Sequence, residues 1–184
     1  MGMVLGIMPL LFQDKQTGKH FLQSDTAYGK LGLYIQDEDK AMAYSIDIET
    51  AKALATKAHE GQTDKAGLPY ITHPERVAAR LDAPEAKVVG WLHDTVEDTP
   101  LTIRDIEAAF GPKTAAAVDA ISRREGEAWS DYLDRVAVNP LARQVKISDL
   151  IDNSNLGRIP HITLKDVERQ KKYNKALKKL LEEE

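Results

Sequence analysis

Residues 90–100 read GWLHDTVEDTP and place one histidine, three carboxylates and two threonines directly after the apolar run Val88, Val89, Trp91 and Leu92. Pro84 suits the first turn of a helix, so the apolar run and the polar residues are predicted to share one helix. Ionisable side chains are rarely buried unless they have partners. The segment therefore requires partners from elsewhere in the chain.

A metal ion is one partner that would explain this segment. His93 and Asp94 are adjacent on the predicted helix, so both can reach only a point above the seam between them. Glu97 and Asp98 follow one turn later and line up beneath His93 and Asp94 respectively. The carboxylates would repel one another, and a divalent cation or a cationic substrate would relieve that repulsion.

Further ligands can come from two other segments. The chain has five histidines, at positions 20, 59, 73, 93 and 161. His73 stands out because it precedes a proline-initiated helix in PYITHPERV, where a rigid corner would fix its ring. The apolar helix QVKISDLIDN carries Asp149, Asp152 and Asn153, of which Asp149 and Asn153 share a face. A buried carboxylate needs a cation nearby.

Structural explanations exist for each of these residues taken singly. Most buried polar side chains are hydrogen-bonded core residues or helix caps. Asp98 could begin a turn in EDTP, and Asp149 could pair with Lys146. The combination of His73, the His93 segment and a buried aspartate in a distant helix is much more specific than any of its parts.

The chain is predicted to be an all-α domain over residues 45–184, preceded by an extension over residues 1–44. That extension contains glycines and β-prone runs, which indicate a hairpin or two, or alternatively a poorly ordered segment. The first helix is predicted from an N-cap at Asp47, and Thr102 and Asp105 form a capping pair for a later helix that stops at Gly111. The remaining helices are predicted in ERVAARL, PKTAAAVDAIS, EAWSDYLDRVAV, PLARQVKISDLIDN and LKDVERQKKYNKALKKLLEEE.

Length and composition exclude several classes of function. The 184 residues suit one main domain. No apolar run is long enough to span a membrane and no signal peptide is recognisable, so a soluble cytoplasmic protein without a membrane partner is expected. The absence of cysteine excludes thiolate chemistry. A net charge of −4 gives no basic footprint for nucleic acid. The lysine-rich last helix is interpreted as a solvated face, and nothing indicates the oligomeric state.

The segments AHEGQTDKAGLPYITHPERVAARL, WLHDTVEDTPLTIRDIEAAFG and VKISDLIDN resemble, in order, the HD-domain hydrolase module of the RelA/SpoT family. The resemblance covers roughly residues 45–180 and is greatest to the small stand-alone guanosine polyphosphate 3′-pyrophosphohydrolases. It implies an HD-domain helical bundle and a role in the stringent response. It does not imply a synthase activity, because no synthetase domain follows in these residues.

The resemblance also implies roles for individual residues. It assigns one Mn²⁺ per chain to His73, His93, Asp94 and Asp149. It assigns activation and positioning of the attacking water to Glu97 and Asp98, and nucleotide contacts to Lys65 and Asn153. Apart from the resemblance, the phosphate charge requires cations, which could also come from Lys146, Arg123, Arg124 and Arg158. His59 is interpreted as a supporting residue and not a ligand.

The resemblance implies hydrolysis of guanosine 3′,5′-bis(diphosphate) to GDP and pyrophosphate, with a small-molecule nucleotide as the partner. The alternatives are the same centre acting on another phosphorylated nucleotide, such as an adenosine analogue or a dinucleotide phosphate, or a non-catalytic nucleotide-binding module. Asp64 departs from the family, which usually has a base-contacting arginine there, so weaker discrimination for guanine is predicted.

Overall fold

The computed structural model describes residues 10–13, 20–26, 29–34, 37–159 and 161–182. The strands are β1 (Leu10–Gln13), β2 (His20–Thr26) and β3 (Gly29–Tyr34), and the helices are α1 (Asp37–Ala58), α2 (Thr72–Ala79), α3 (Pro84–Leu92), α4 (Thr95–Asp98), α5 (Ile103–Ile121), α6 (Trp129–Ala137), α7 (Pro140–Asn153) and α8 (Leu164–Glu182). A 3₁₀ turn covers Leu156–Arg158.

The chain divides into two compact units, residues 1–45 and 46–184. In the first unit the three strands form an antiparallel sheet in the order β1-β2-β3, with Leu11 opposite Leu22 and Leu22 opposite Leu33. These strands lie in the segment where the sequence indicates hairpins. The turn-like residues 14–19 between β1 and β2 lie outside the described residues.

The second unit is all-α, as predicted, and α7 lies at its centre. This helix packs against α2, α3, α5, α6 and α8. Val145 and Leu150 of α7 are buried with Val89 and Leu92 of α3 in one apolar core. Helices α2 and α3 approach closely at Gly90, where an added Cβ would come within 2.9 Å of the Leu81 side chain and 3.1 Å of the Ala78 Cα. The core therefore holds α2, α3 and α7 in mutual contact.

Local signals account for most helix boundaries in this unit. Pro84 and Pro140 occupy the first turns of α3 and α7, as expected for residues without a backbone N–H. Thr102 and Asp105 form the predicted capping box of α5. Gly111 has a φ of 81° and interrupts α5 where the sequence predicts a stop, and helical geometry resumes from Pro112.

Two predicted boundaries are wrong. Helix α1 begins at Asp37 and not at Asp47, because the preceding DEDKAMAYSI is rich in helix formers and acidic in its first turn. The single helix predicted through residues 90–100 is divided, since α3 ends at Leu92 and α4 begins at Thr95. The backbone opens at Asp94, whose φ is −100° and ψ −5°, while the Thr95 hydroxyl donates to the Leu92 carbonyl at 2.7 Å.

No helix in the part of the chain that the structure describes has the length and apolar character needed to cross a membrane.

Candidate metal centre

Three buried side chains from separate segments converge at one point. His73 is the second residue of α2, His93 directly follows α3, and Asp149 lies in the last half of α7. One potential donor atom from each lies within 4.8 Å of the other two. Asp149 Oδ1 lies 3.1 Å from His73 Nε2 and 3.9 Å from His93 Nε2. The three side chains can hold a metal ion.

Asp94 brings a fourth potential ligand to the same point. Its Oδ2 atom lies 3.0 Å from His93 Nε2 and 3.6 Å from His73 Nε2. Burial opposes ionisation of this carboxyl, but the neighbouring charges of His93 and His73 hold the pKa of Asp94 well below its usual range. The four residues assigned to metal binding by resemblance are thus neighbours in the structure.

The other ring nitrogen of each histidine is already occupied, which orients Nε2 towards the centre. His93 Nδ1 lies 2.8 Å from the Gly90 carbonyl, which can only accept, so Nδ1 carries the proton. His93 Nε2 is buried and has no hydrogen-bond partner among the described residues. An orphaned imidazole nitrogen beside two carboxylates fits a divalent cation, which would bind both donor types at once.

Asp152 orients the second histidine, and the sequence analysis did not give it this role. His73 Nδ1 lies 2.9 Å from Asp152 Oδ2. The Asp152 side chain is fully buried and also contacts the guanidinium groups of Arg76, Arg80 and Arg158, each at 3.0 Å. Its position three residues after Asp149 in an apolar helix could have indicated this role, but its partners His73, Arg76 and Arg80 come from a distant segment.

Hydrogen bonding also sets the protonation of these groups in the metal-free protein. Burial lowers the pKa of His73, but hydrogen bonds to Asp149 and Asp152 together with the charges of Asp149 and Asp94 raise it to about 9. The pKa of Asp149 falls well below its usual range, because the charge of Lys146 outweighs the effect of burial. A metal ion would therefore displace a proton held between imidazole and carboxylate.

The two acids predicted to be catalytic lie on α4, directly after the centre. Glu97 Oε2 accepts a hydrogen bond from the backbone N–H of Arg123 at 2.9 Å. The Tyr70 hydroxyl donates to Asp94 Oδ2 at 2.5 Å and lies 3.5 Å from Asp98 Oδ2. Burial is the main cause that raises the pKa of Glu97 and of Asp98. Raised carboxyl pKa values suit proton transfer near neutral pH.

A cavity of about 250 Å³ adjoins the centre at His73. Of the residues predicted to contact substrate, Lys65, Asn153 and Arg158 line it. Asn153 Nδ2 also donates to Asp149 Oδ1 at 2.5 Å, which ties the cavity wall to the predicted ligand. Tyr70, Arg169 and Tyr173 line the same cavity and were not predicted to contact substrate.

The other predicted cations lie elsewhere. Lys146 does not line this cavity, and its Nζ atom lies 2.8 Å from Asp149 Oδ2. Asp149 thus pairs with Lys146 through Oδ2, as one explanation predicted, while its Oδ1 atom faces the two histidines. Arg123 lines a second cavity together with Glu97.

His59 lies beside the centre and outside the group of potential ligands. Its Nδ1 atom is 2.9 Å from Gln62 Oε1, and its ring lies 4.8 Å from that of Tyr70. Gln62 in turn donates to the Asp98 backbone carbonyl at 3.0 Å. These contacts agree with the supporting role that the sequence indicated.

Asp64 has a structural role in the loop before His73. Its Oδ1 atom accepts from the backbone N–H groups of Ala66 at 2.8 Å and Leu68 at 3.0 Å. Its Oδ2 atom lies 3.8 Å from Arg158. The carboxylate thus folds the loop and faces a cation at the wall of the cavity.

Comparison with known proteins identifies the family. Residues 51–144, just over half of the chain, match the HD domain family. The bifunctional (p)ppGpp synthase/hydrolase SpoT of Escherichia coli K12 is 39% identical over 97 residues, which are 50% of this chain and 14% of that protein. The GTP pyrophosphokinase of Streptomyces coelicolor is 32% identical over 142 residues, which are 70% of this chain and 16% of that protein.

A solved structure shares the fold. It is described as a metazoan ortholog of SpoT that hydrolyzes ppGpp, and it is 20% identical with a TM-score of 0.63 over 74% of this chain and 85% of that one. The curated relatives are much longer proteins, of which this chain spans about one seventh. The match over residues 51–144 shows that the chain belongs to the HD domain family.

Proposed function

We propose that this chain is a metal-dependent phosphohydrolase that converts guanosine 3′,5′-bis(diphosphate) and water to GDP and pyrophosphate. The observation that carries the proposal is the convergence of His73, His93 and Asp149 beside a cavity lined by Lys65, Asn153 and Arg158. Relatives at 39% and 44% identity are named guanosine-3′,5′-bis(diphosphate) 3′-pyrophosphohydrolases, which supports this substrate over other nucleotides.

The ligand set favours one Mn²⁺ ion, held by His73, His93, Asp94 and Asp149. Two imidazoles and two carboxylates are a mixed nitrogen and oxygen set, which suits manganese or iron better than a closed structural zinc site. When bound, the ion supplies a Lewis acid that polarises the phosphoryl oxygen and acidifies water. Asp152 and the Gly90 carbonyl hold the two imidazole rings in the orientation that this requires.

Residues of α4 and of the cavity supply the proton transfer and the substrate contacts. Glu97 and Asp98 accept the proton of the attacking water, because both are carboxylates with raised pKa values beside the centre. Lys65, Asn153 and Arg158 bind the nucleotide and offset its phosphate charge. The bond between the 3′ oxygen and phosphorus breaks as the water oxygen bonds to phosphorus, and the 3′ oxygen takes up a proton to become the 3′ hydroxyl of GDP.

A second candidate substrate is the adenosine counterpart, because Asp64 lies where the resembled family usually has a base-contacting arginine, which removes one reason to prefer guanine. An aspartate at the cavity wall cannot stack on a base or donate to it as an arginine can. The same centre would then act on the other purine nucleotide with unchanged chemistry.

The test is a hydrolysis assay of the purified full chain with Mn²⁺ over a panel of nucleotides. We expect GDP and pyrophosphate from guanosine 3′,5′-bis(diphosphate), and loss of activity together with metal content in His93→Ala. Replacement of the exposed His161 by alanine is the matched control and should change neither. Turnover of the adenosine analogue alone would replace the first candidate by the second, and turnover of no nucleotide would overturn both.

A further inference from the structure

Three cations surround the indole of Trp129. Lys172 Nζ lies 3.9 Å from the ring centroid, and Arg123 Cζ and Lys146 Nζ each lie 5.8 Å from it. They come from α8, from the loop after α5 and from α7, respectively. Distances within about 6 Å allow a cation–π attraction, but one indole cannot neutralise three charges.

Lys146 is paired with Asp149, but the other two cations of the cluster lack a carboxylate partner among the described residues. Among the described residues, neither Lys172 nor Arg123 makes an ion pair, and the Arg123 guanidinium donates to the backbone carbonyl of Glu127 at 2.8 Å. The neighbouring Arg124 differs, because it lies 3.4 Å from Asp119. Burial, followed by the charges of Arg123 and Lys146, lowers the pKa of Lys172, which indicates that the like charges repel.

The cluster lies between the proposed substrate cavity and the proposed catalytic acid. The Trp129 ring contacts Tyr173, which lines the first cavity, at a centroid distance of 6.4 Å. The backbone N–H of Arg123 binds Glu97, and both residues line the second cavity, of about 340 Å³. The cluster therefore contacts one lining residue of each cavity, Tyr173 and Glu97.

We infer that Arg123 and Lys172, supported by the fixed charge of Lys146, form a subsite for the diphosphate group that becomes the product pyrophosphate. A diphosphate fits because it carries several charged oxygens at short spacing, so that one group can accept hydrogen bonds from both exposed cations. The assignment of this group to the substrate rests on the proposed function. The binding of diphosphate itself does not depend on turnover.

Calorimetric titration of the metal-loaded full chain with inorganic pyrophosphate tests the subsite, with inorganic phosphate as the weaker comparison ligand. Lys172→Met should weaken pyrophosphate binding roughly tenfold, the usual scale for one hydrogen bond to a charged group. The adjacent exposed Lys171→Met is the matched control and should bind within about twofold of the unmodified chain. Metal content measured after the titration verifies that pyrophosphate has not stripped the ion.

Two results would overturn the subsite: no binding of pyrophosphate to the unmodified chain, or equal binding by Lys172→Met. The outcome is separable from that of the hydrolysis assay. Pyrophosphate binding that depends on Lys172 in a chain that hydrolyses no nucleotide would remove the proposed function and leave the subsite. Hydrolysis of the nucleotide, together with unchanged pyrophosphate binding in Lys172→Met, would remove the subsite and leave the proposed function.

Discussion

At the scale of single residues, the two histidines are oriented by partners of different strength. A backbone carbonyl fixes the His93 ring, whereas the buried carboxylate of Asp152 fixes the His73 ring. A carboxylate partner raises the basicity of an imidazole ligand more than a carbonyl does. The three arginines around Asp152 keep it ionised, so they support the metal centre without contacting it.

Glu97→Gln should lower hydrolysis by about a hundredfold or more, because the amide cannot accept a proton. The substitution is nearly isosteric, and its amide oxygen can still accept from the Arg123 N–H that binds Glu97. Metal content and thermal stability should therefore be unchanged. Glu125→Gln in the same cavity is the matched control. Comparable hydrolysis rates in the two variants would show that another group accepts the proton of the attacking water.

Asp64→Arg tests the departure from the family. The sequence predicts that an arginine would restore guanine discrimination, but the carboxylate also caps two backbone N–H groups of its loop. Losing such a cap costs about 1 kcal/mol. Because this loop lines the cavity, substrate binding must then reorder it at about this cost, so we expect KM to rise roughly fivefold for guanosine and adenosine substrates alike.

Asp64→Asn is the control for that experiment, because its amide oxygen keeps both caps, and its KM should stay close to that of the unmodified chain. A lower KM for the guanosine substrate alone in Asp64→Arg would show that base contact outweighs the loop.

At the scale of elements, the helices that the sequence predicts best are those whose ends are set locally. Proline at the start of α3 and α7 and the Thr102 capping box act within one turn, so the sequence alone contains the signal. The break at Asp94 was not predicted, although the Thr95 hydroxyl that donates to the Leu92 carbonyl lies within one turn of it. The residue types of the predicted ligand set could be read from the sequence, but their distances could not, because these depend on the contacts of α2, α3 and α7.

The junction between α5 and α6 depends on one arginine that the sequence did not single out. Arg135 donates to the carbonyls of Asp119, Ala120 and Ser122 at the end of α5, and its Nη2 atom lies 2.6 Å from Glu127 Oε2. Only 18% of its side chain is exposed. Four acceptors thus share one largely covered guanidinium.

Arg135→Met should lower the free energy of unfolding by roughly 3 kcal/mol, because three carbonyls lose their donor and the covered Glu127 carboxylate keeps only the Arg124 backbone N–H. Arg104→Met, at an exposed position of α5, is the matched control and should change stability by less than about 0.5 kcal/mol. Urea denaturation of both variants measures the difference. Equal midpoints would mean that water replaces the guanidinium without cost.

The same ion pair predicts a pH dependence. The hydrogen bond from Arg135 lowers the pKa of Glu127 to about 2. Because this folded-state pKa is below the ordinary glutamate value of about 4.3, the contribution to stability is present above that value and is lost as the pH falls towards 2. Glu127→Gln should therefore be less stable than the unmodified chain at pH 7, and thermal melts should show this gap closing by about pH 2–3. A gap that is constant with pH would contradict the ion pair.

At the scale of the whole molecule, the candidate metal centre joins helices that are distant in sequence. His73 comes from α2, His93 follows α3 and Asp149 comes from α7. A ligand that binds only the folded state stabilises it, and at a hundredfold excess over Kd the gain is about 2.7 kcal/mol. For a domain of this size that gain corresponds to a rise in Tm of roughly 5–10 °C.

We therefore expect Tm to fall by this amount when a chelator removes the metal, and to recover when Mn²⁺ is added back. His93→Ala should be insensitive to both treatments, because it removes one of the converging donors. His161→Ala, which alters an exposed histidine, should respond like the unmodified chain. Differential scanning calorimetry of the three proteins, with metal analysis of each sample, provides the measurement. If His93→Ala still gains stability from Mn²⁺, the ion binds at a site that does not include His93, and the predicted ligand set is wrong.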